Sequence, residues 1–359
     1  MHAQSADRAT AMSLEQQGRT AEAESAWLAM AKANPKNAEA LAHLGLLEAR
    51  QERYDAAAEY DRRALALNPN LPGVQLNLGL ALFKAGKFSQ AIPSFTAELK
   101  RHPGDQRMTI LLGMCHYGMG DYMVAVPYLQ KAAASDPKNL ELRLTLAHSC
   151  LWSKQYECVE AVAKEILTLN PDSAEADMLT GEALDEQGDE ASALAQFRAA
   201  VQADPHQGNA HFGLGYLLWK KGSFADAAAE FAAEVKNDPT QAQARTYLGD
   251  SYVQMEQYSE AEPELKLAVA ESPQVAMAHR DLGIVYAKTG RYDAAVAELK
   301  RAIALDGKDA ATHFQLARTY QSMGRTEEAK AEFGMASRLN RQADAALTEK
   351  MSAPPAAKP

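Results

Sequence analysis

The stretch "NPKNAEALAHLG" occupies residues 34–45, and "NPNLPGVQLNLG" occupies residues 68–79. Their prolines, Pro35 and Pro69, and their glycines, Gly45 and Gly79, both stand 34 residues apart. Followed outward, the same step gives Pro103, Pro137, Pro171, Pro205, Pro239 and Pro273, with Gly307 at the next place. A small-residue ladder runs in register: Gly45, Gly79, Gly113, Ala147, Gly181, Gly215, Gly249, Gly283, Ala317. A third reads Ala57, Ala91, Ala125, Val159, Ala193, Ala227, Ala261, Ala295, Ala329. The fourth is aromatic at Tyr54, Phe88, Tyr122, Tyr156, Phe224, Tyr258 and Tyr292, broken by Glu190. A fixed period of this length marks a repeat architecture and overrides the two-domain prior that 359 residues would suggest.

Each ladder has a physical reading. The glycine and alanine ladders let two helices pack nearly backbone to backbone. Gly18, Gly86, Gly120, Gly188, Gly222, Gly290 and Gly324 fall where a helix stops and the chain reverses. Asp55, Ser89, Ser259 and Asp293 follow that turn and are placed to cap the next helix. The prolines end the unit, since proline cannot continue a helix without losing a hydrogen bond. Pro93, Pro127 and Pro263 share one place early in the second helix, and the sequence leaves open whether they lie in the tolerant first turn or deeper. Between the breaks the apolar spacing is helical, giving two helices of roughly 13 residues, about 20 Å each. Such a pair gains its core by stacking on its neighbours. The composition, 47% hydrophobic and 7% aromatic with abundant alanine, agrees with an all-α chain.

The order L-G, turn glycine, aromatic, alanine, proline resembles the tetratricopeptide repeat family, whose unit is 34 residues. The resemblance is plain in "LNLGLALFKAGKFSQAIPSFTAELKRHPGD" (76–105) and "RDLGIVYAKTGRYDAAVAELKRAIALDGKD" (280–309). It divides the chain into a single array, 1–343, of about ten units: 4–37, 38–71, 72–105, 106–139, 140–173, 174–207, 208–241, 242–275, 276–309 and 310–343. A C-terminal capping helix is expected over 344–351 and a disordered tail over 352–359. The unit 140–173 is irregular, with Ala147 for glycine and Lys154 at the turn.

The resemblance implies an all-α, right-handed α-solenoid superhelix of stacked helix-turn-helix repeats whose first helices line a concave groove. Residues three and four apart share a helix face, which selects the inward positions. Leu76, Leu80, Phe83, Ile110, Met114, Tyr117, Leu144 and Leu151 form an apolar stretch, and Phe212, Tyr216 and Trp219 an aromatic stripe. Between them Glu175, Glu182, Asp185 and Glu186 form an acidic patch. Such a groove suits a protein or peptide with basic residues, although the same positions also serve as core between repeats, and the sequence leaves both roles open. The basic clamp by which some family members hold chaperone C-termini is matched only at Asn77 and Arg107, so that use is disfavoured.

No P-loop, HExxH, GxSxG or metal-spaced cysteine set is present, so no catalytic, cofactor-binding or metal residue is assigned. His211, His279 and His313 are in register, one per unit, which is repeat arithmetic; His148 is read as a partly packed core histidine. Cys115, Cys150 and Cys158 are read as small buried apolar residues, and a Cys150–Cys158 bridge would need an oxidising compartment. The charge of −10, from 37 basic and 47 acidic residues without a basic run, argues against nucleic acid. No apolar run reaches the ~18–20 residues of a membrane span. The expectation is therefore a peptide- or protein-binding scaffold. Its alternatives are a self-association module forming a homodimer and an accessory subunit of an enzyme or secretion complex coded elsewhere. The compartment is left between cytoplasm and, if an export signal has been removed, periplasm.

Overall fold

The computed structural model describes residues 7–352, and every regular element among them is helical. The chain divides into two compact units, with the boundary between Pro171 and Asp172. Residues 353–359, most of the expected tail, lie outside the described residues.

The first unit holds five hairpins: α1 (Arg8–Gln16) with α2 (Thr20–Ala33), α3 (Ala38–Arg50) with α4 (Tyr54–Leu67), α5 (Val74–Lys84) with α6 (Phe88–Arg101), α7 (Gln106–Gly118) with α8 (Tyr122–Ser135), and α9 (Leu140–Trp152) with α10 (Tyr156–Leu169). The second holds α11 (Ala174–Glu186) with α12 (Glu190–Ala203), α13 (Ala210–Lys220) with α14 (Phe224–Asn237), α15 (Ala242–Gln254) with α16 (Tyr258–Glu271), α17 (Ala276–Lys288) with α18 (Tyr292–Leu305), and α19 (Ala310–Ser322) with α20 (Thr326–Ser352). Within each unit every hairpin packs on the next, an α-solenoid arrangement.

The turns follow from the sequence. The seven turn glycines adopt φ between 71° and 83°, and each closes its helix by bonds such as Lys87 N to Leu82 O, 2.8 Å. Glu52, Lys154 and Glu256 take the same left-handed conformation without glycine, so the irregular turn at Lys154 keeps the common geometry. The expected caps are corrected. Asp55, Ser89, Ser259 and Asp293 lie inside the first turn of the second helices, whose N-cap residues Arg53, Lys87, Gln257 and Arg291 make no side-chain cap. Most side-chain caps fall on first helices, from Asn37, Asp105, Asn139, Ser173 and Asp309, and Asp189 caps the second helix α12. Pro93, Pro127 and Pro263 lie five residues into their helices, past the tolerant first turn, yet α6, α8 and α16 run on through them.

The small-residue ladder packs differently from backbone against backbone. A Cβ on Gly79 would stand 2.7 Å from the Phe95 ring, and one on Gly249 2.5 Å from Leu265 Cγ. The glycine is a slot for a large side chain of the second helix. The alanine ladder's backbone joins this contact only at places such as Gly283, where a Cβ would lie 3.3 Å from Ala295 O. The core is thus a row of large side chains, including Phe95, Leu129, Phe231, Leu265 and Leu299, each seated against the preceding helix.

Candidate functional site

In the first unit Leu76 and Phe83 are half-buried on α5 and pack against the core formed with Phe95 and Leu112, while Leu80 between them is exposed. Ile110, Met114 and Tyr117 are half-buried on α7. Leu151 is buried on α9, with 7% of its surface exposed. Tyr117 stacks on Trp152 at 5.8 Å between ring centroids; Tyr122 and His148 meet the same indole at 4.7 and 5.1 Å. Trp152 is nevertheless 47% exposed, and Met119, Met123 and Val124 are exposed at the neighbouring turn. The inner ladders do not include this patch. Its signal is nonetheless in register: Met123 stands where other units carry Asp55, Ser89, Glu157, Ser259 and Asp293.

In the second unit Phe212, Tyr216 and Trp219 rise along one face of α13, all half-buried. Their rings lie nearly parallel, 6.4 Å from Phe212 to Tyr216 and 6.1 Å from Tyr216 to Trp219. Tyr247 of α15, absent from the ladders read in sequence, crosses all three edge-on at 5.8, 5.5 and 5.1 Å. Edge-to-face contact sets the positive rim of one ring on the negative face of the next, so Tyr247 fixes the stripe as one wall. Trp219 Nε1 donates to Asp250 Oδ2 at 2.5 Å. Burial raises the Tyr247 hydroxyl above its ordinary pKa.

The acidic patch is partly neutralised from within. Lys220 Nζ lies 2.7 Å from Glu190 and 3.4 Å from Asp185, and 5.6 Å over the Tyr216 ring. Hydrogen bonding to Glu190 raises the Lys220 pKa, and the same bond lowers that of Glu190. Asp185 and Glu182 are half-buried and Glu186 is exposed. Further along, Arg280 Nε donates to Asp281 at 2.8 Å, with Asp250 at 3.5 Å and Asp309 at 3.7 Å around the same guanidinium. Burial pushes the Asp281 carboxyl up to about 7, against the pull of Arg280.

The in-register histidines form a clamp. His211 Nδ1 stands 2.6 Å from Glu230 and its Nε2 3.1 Å from Pro205 O; His279 repeats this with Glu298 at 2.6 Å and Pro273 O at 3.2 Å. Arg245, at the same place in the unit between, does so with Glu264 at 2.8 Å and Pro239 O at 2.8 Å. Among the described residues no group of three or more His, Cys, Asp or Glu is arranged to hold a metal ion. The reading of the cysteines is corrected: Cys150 and Cys158 are joined as a disulfide, and only Cys115 is the buried free thiol. They face each other across the turn from α9 into α10, a proximity that a separation of eight residues does not announce. No helix among the described residues is long and apolar enough to cross a membrane.

Stacked helical hairpins whose first helices carry partly exposed aromatic walls define a helical-repeat binding scaffold. Tetratricopeptide repeat family models match residues 8–72, 76–139, 160–208, 191–242 and 248–310, and a second such model matches 117–183 and 286–350. The chain belongs to the tetratricopeptide repeat family. The family and the fold support a general protein-interaction scaffold role. A TPR repeat-containing protein of Methanocaldococcus jannaschii is 34% identical over 89 residues, 25% of this chain and 16% of that protein, so the chain spans about a sixth of that relative's length. Among solved structures, YrrB, described as a TPR protein with an unusual peptide-binding site, is 21% identical over 53% of this chain and 97% of its own, with a TM-score of 0.45. A tetratricopeptide repeat protein of Parabacteroides merdae is 16% identical over 68% of this chain and 97% of its own, with a TM-score of 0.48.

Proposed function

We propose that the chain holds an extended or helical segment of a partner protein against the first-helix face of its second unit. The observation that carries this is the wall of Phe212, Tyr216 and Trp219, fixed by Tyr247 yet only half-buried. Large aromatics left partly open on a rigid support are the anchors that dominate protein interfaces, each about 2 kcal/mol or more on truncation. Leu76, Leu80, Phe83, Ile110, Met114 and Tyr117 offer a comparable partly open face in the first unit; the buried Leu151 supports it from beneath. A partner with basic residues is favoured. Lys220 supports this, because a cation already rests between Tyr216 and the carboxylates of Asp185 and Glu190. The disulfide between Cys150 and Cys158 favours an oxidising compartment over the cytoplasm.

The test is capture from a lysate of the source organism, identified by mass spectrometry. The double variant Tyr216→Ala, Trp219→Ala should lose the partner while keeping wild-type helical circular dichroism. Lys236→Ala, exposed on the second helix α14, should retain it. Loss of helix in the double variant would make these residues core; undiminished capture by a folded double variant would place the binding face elsewhere.

A second reading, self-association, is favoured by the exposed patch of Trp152, Met119, Met123 and Val124 in the first unit. Sedimentation equilibrium over a concentration series decides it. A dimer that Met123→Glu dissociates supports this reading, and a monomer at every concentration ends it.

A further inference from the structure

Around the buried Asp281 and Asp250 there is more negative charge than positive. One oxygen of Asp281 accepts from Arg280 Nε at 2.8 Å and the other, Oδ2, finds no donor. Asp250, from α15, is buried and placed to accept a hydrogen bond from Asp281 once Asp281 carries a proton. Asp309, the N-cap of α19, approaches the far side of Arg280 at 3.7 Å. Three carboxyl groups therefore crowd one guanidinium. Although burial pulls the Arg280 pKa down, the attraction of Asp281, Asp250 and Asp309 leaves it raised, so it stays a cation throughout. Tyr247 faces Asp250 and Arg280 as well. Of the other packed helices, Glu230 on α14 pairs with His211 and Glu234 accepts from the backbone of Asn209 and Phe212; on α16 Glu264 and Glu271 pair with Arg245, and Glu262 with Lys266 and Arg291; on α18 Glu298 pairs with His279, and on α19 His313 with Glu332.

Asp250 also accepts from Trp219 Nε1 at 2.5 Å and from Gln254 Nε2 at 3.2 Å. The buried cluster is thus tied directly to the aromatic wall.

We propose that Asp250, Arg280, Asp281 and Asp309 form a proton-operated latch that holds Trp219 in the wall while Asp281 carries a proton, and loosens it when that proton leaves. With the proton present, Asp281 is a neutral acid that can donate to Asp250. Asp250 is then held by Trp219, Gln254, Arg280 and Asp281. When the proton departs to solvent, two buried carboxylates face each other. The one guanidinium of Arg280, shared also with Asp309, does not balance both charges, and the grip on Trp219 slackens. The burial-raised pKa of Asp281, about 7, sets the change near neutrality. The sign follows: the wall is firm below that pH and loosens as pH rises through it. The consequence for partner capture rests on the reading of this wall as a binding face; the latch itself does not.

The test is a proton–nitrogen NMR titration of the full chain from pH 5.5 to 8.5, following the indole Nε1–H signals of its three tryptophans. Trp219 is assigned by its loss in Trp219→Phe. Its ring neighbours are tyrosines, whereas Trp27 and Trp152 each lie against a histidine, so a midpoint near 7 at Trp219 reports the cluster. The wild type should move upfield with that midpoint as pH rises, and Asp281→Asn should hold Trp219 constant across the range. Should Asp281→Asn fail to fold, Arg280→Gln serves instead: removing the cation should raise the Trp219 midpoint by at least one pH unit. A wild-type signal that does not titrate, or a midpoint that survives Asp281→Asn or is unmoved in Arg280→Gln, overturns the latch. Partner capture lost in Trp219→Ala but independent of pH would leave the binding face standing and sink the regulation alone.

Discussion

Position 61 shows how one residue can oppose its fold. Counted by 34, it is the place of Phe95, Leu129, Phe197, Phe231, Leu265 and Leu299, the large side chains that seat against the preceding helix. The second unit of the repeat puts Asp61 there, 1% exposed, with its Oδ1 unpaired against Gly45. Burial pushes its carboxyl up to about 7. The unfolded chain ionises Asp61 near its ordinary value of 3.8, so between about pH 4 and 7 the folded state binds the extra proton, and stability falls as pH rises. Above about 7 the loss is complete. Asp61→Leu removes this penalty and restores the seat that Leu129 fills against Gly113. Its urea midpoint should exceed that of the wild type. The gap should widen from pH 4 to 7 by at most ~4 kcal/mol, since each tenfold difference in proton affinity between folded and unfolded chains is worth ~1.4 kcal/mol. A constant gap would mean that Asp61 is solvated or paired in solution.

At the scale of the element, the hairpin is fastened by one side chain that meets two acceptors. Both ring nitrogens of His279 face acceptors, a carboxylate of α18 and the carbonyl of Pro273. Arg245 holds the same two partners in its own unit with a permanent cation. His279→Arg should therefore unfold within about 0.5 kcal/mol of the wild type, whereas His279→Leu, which strands Glu298 and the turn carbonyl, should cost ~1–3 kcal/mol. Equal costs for the two in urea denaturation would mean that the clamp does not fasten the hairpin. The sequence placed these histidines in register but could not show their partner. The glutamate lies 19 residues on, on another helix, and only the hairpin brings the two together. The caps were misplaced for a related reason: polar residues in the first turn of a helix look alike whether they stand at the cap or one or two residues inside it.

At the scale of the whole molecule, the legible part was what the period enforces: all-helical hairpins and the glycine turns that close them, whereas the seating of large side chains on the glycine ladder was not. Three of the four aromatics of the candidate wall were legible too, since Phe212, Tyr216 and Trp219 fall at helical spacing. Tyr247, the pairing of Lys220 with Asp185 and the Arg280 cluster were not, because each depends on which neighbour a side chain meets across helices. Those neighbours are nonetheless close along the chain. In both units the principal packing joins a helix to the next one or the next but one. Stability should then be a sum of local terms, each felt by its own hairpin and those beside it. Gly283→Ala is a sharp probe, since a Cβ there would stand 2.7 Å from Leu299 Cγ in the buried seat between α17 and α18. The strain of overpacking is typically ~1–3 kcal/mol. Hydrogen exchange followed by mass spectrometry should show faster exchange in α17 and α18, less change in α16 and α19, and wild-type protection in α11 and α12 of the same unit. A uniform loss across the unit would mean that its five hairpins open as a single cooperative body, so that a ligand gripping one rung of the aromatic wall would steady every hairpin of the unit at once.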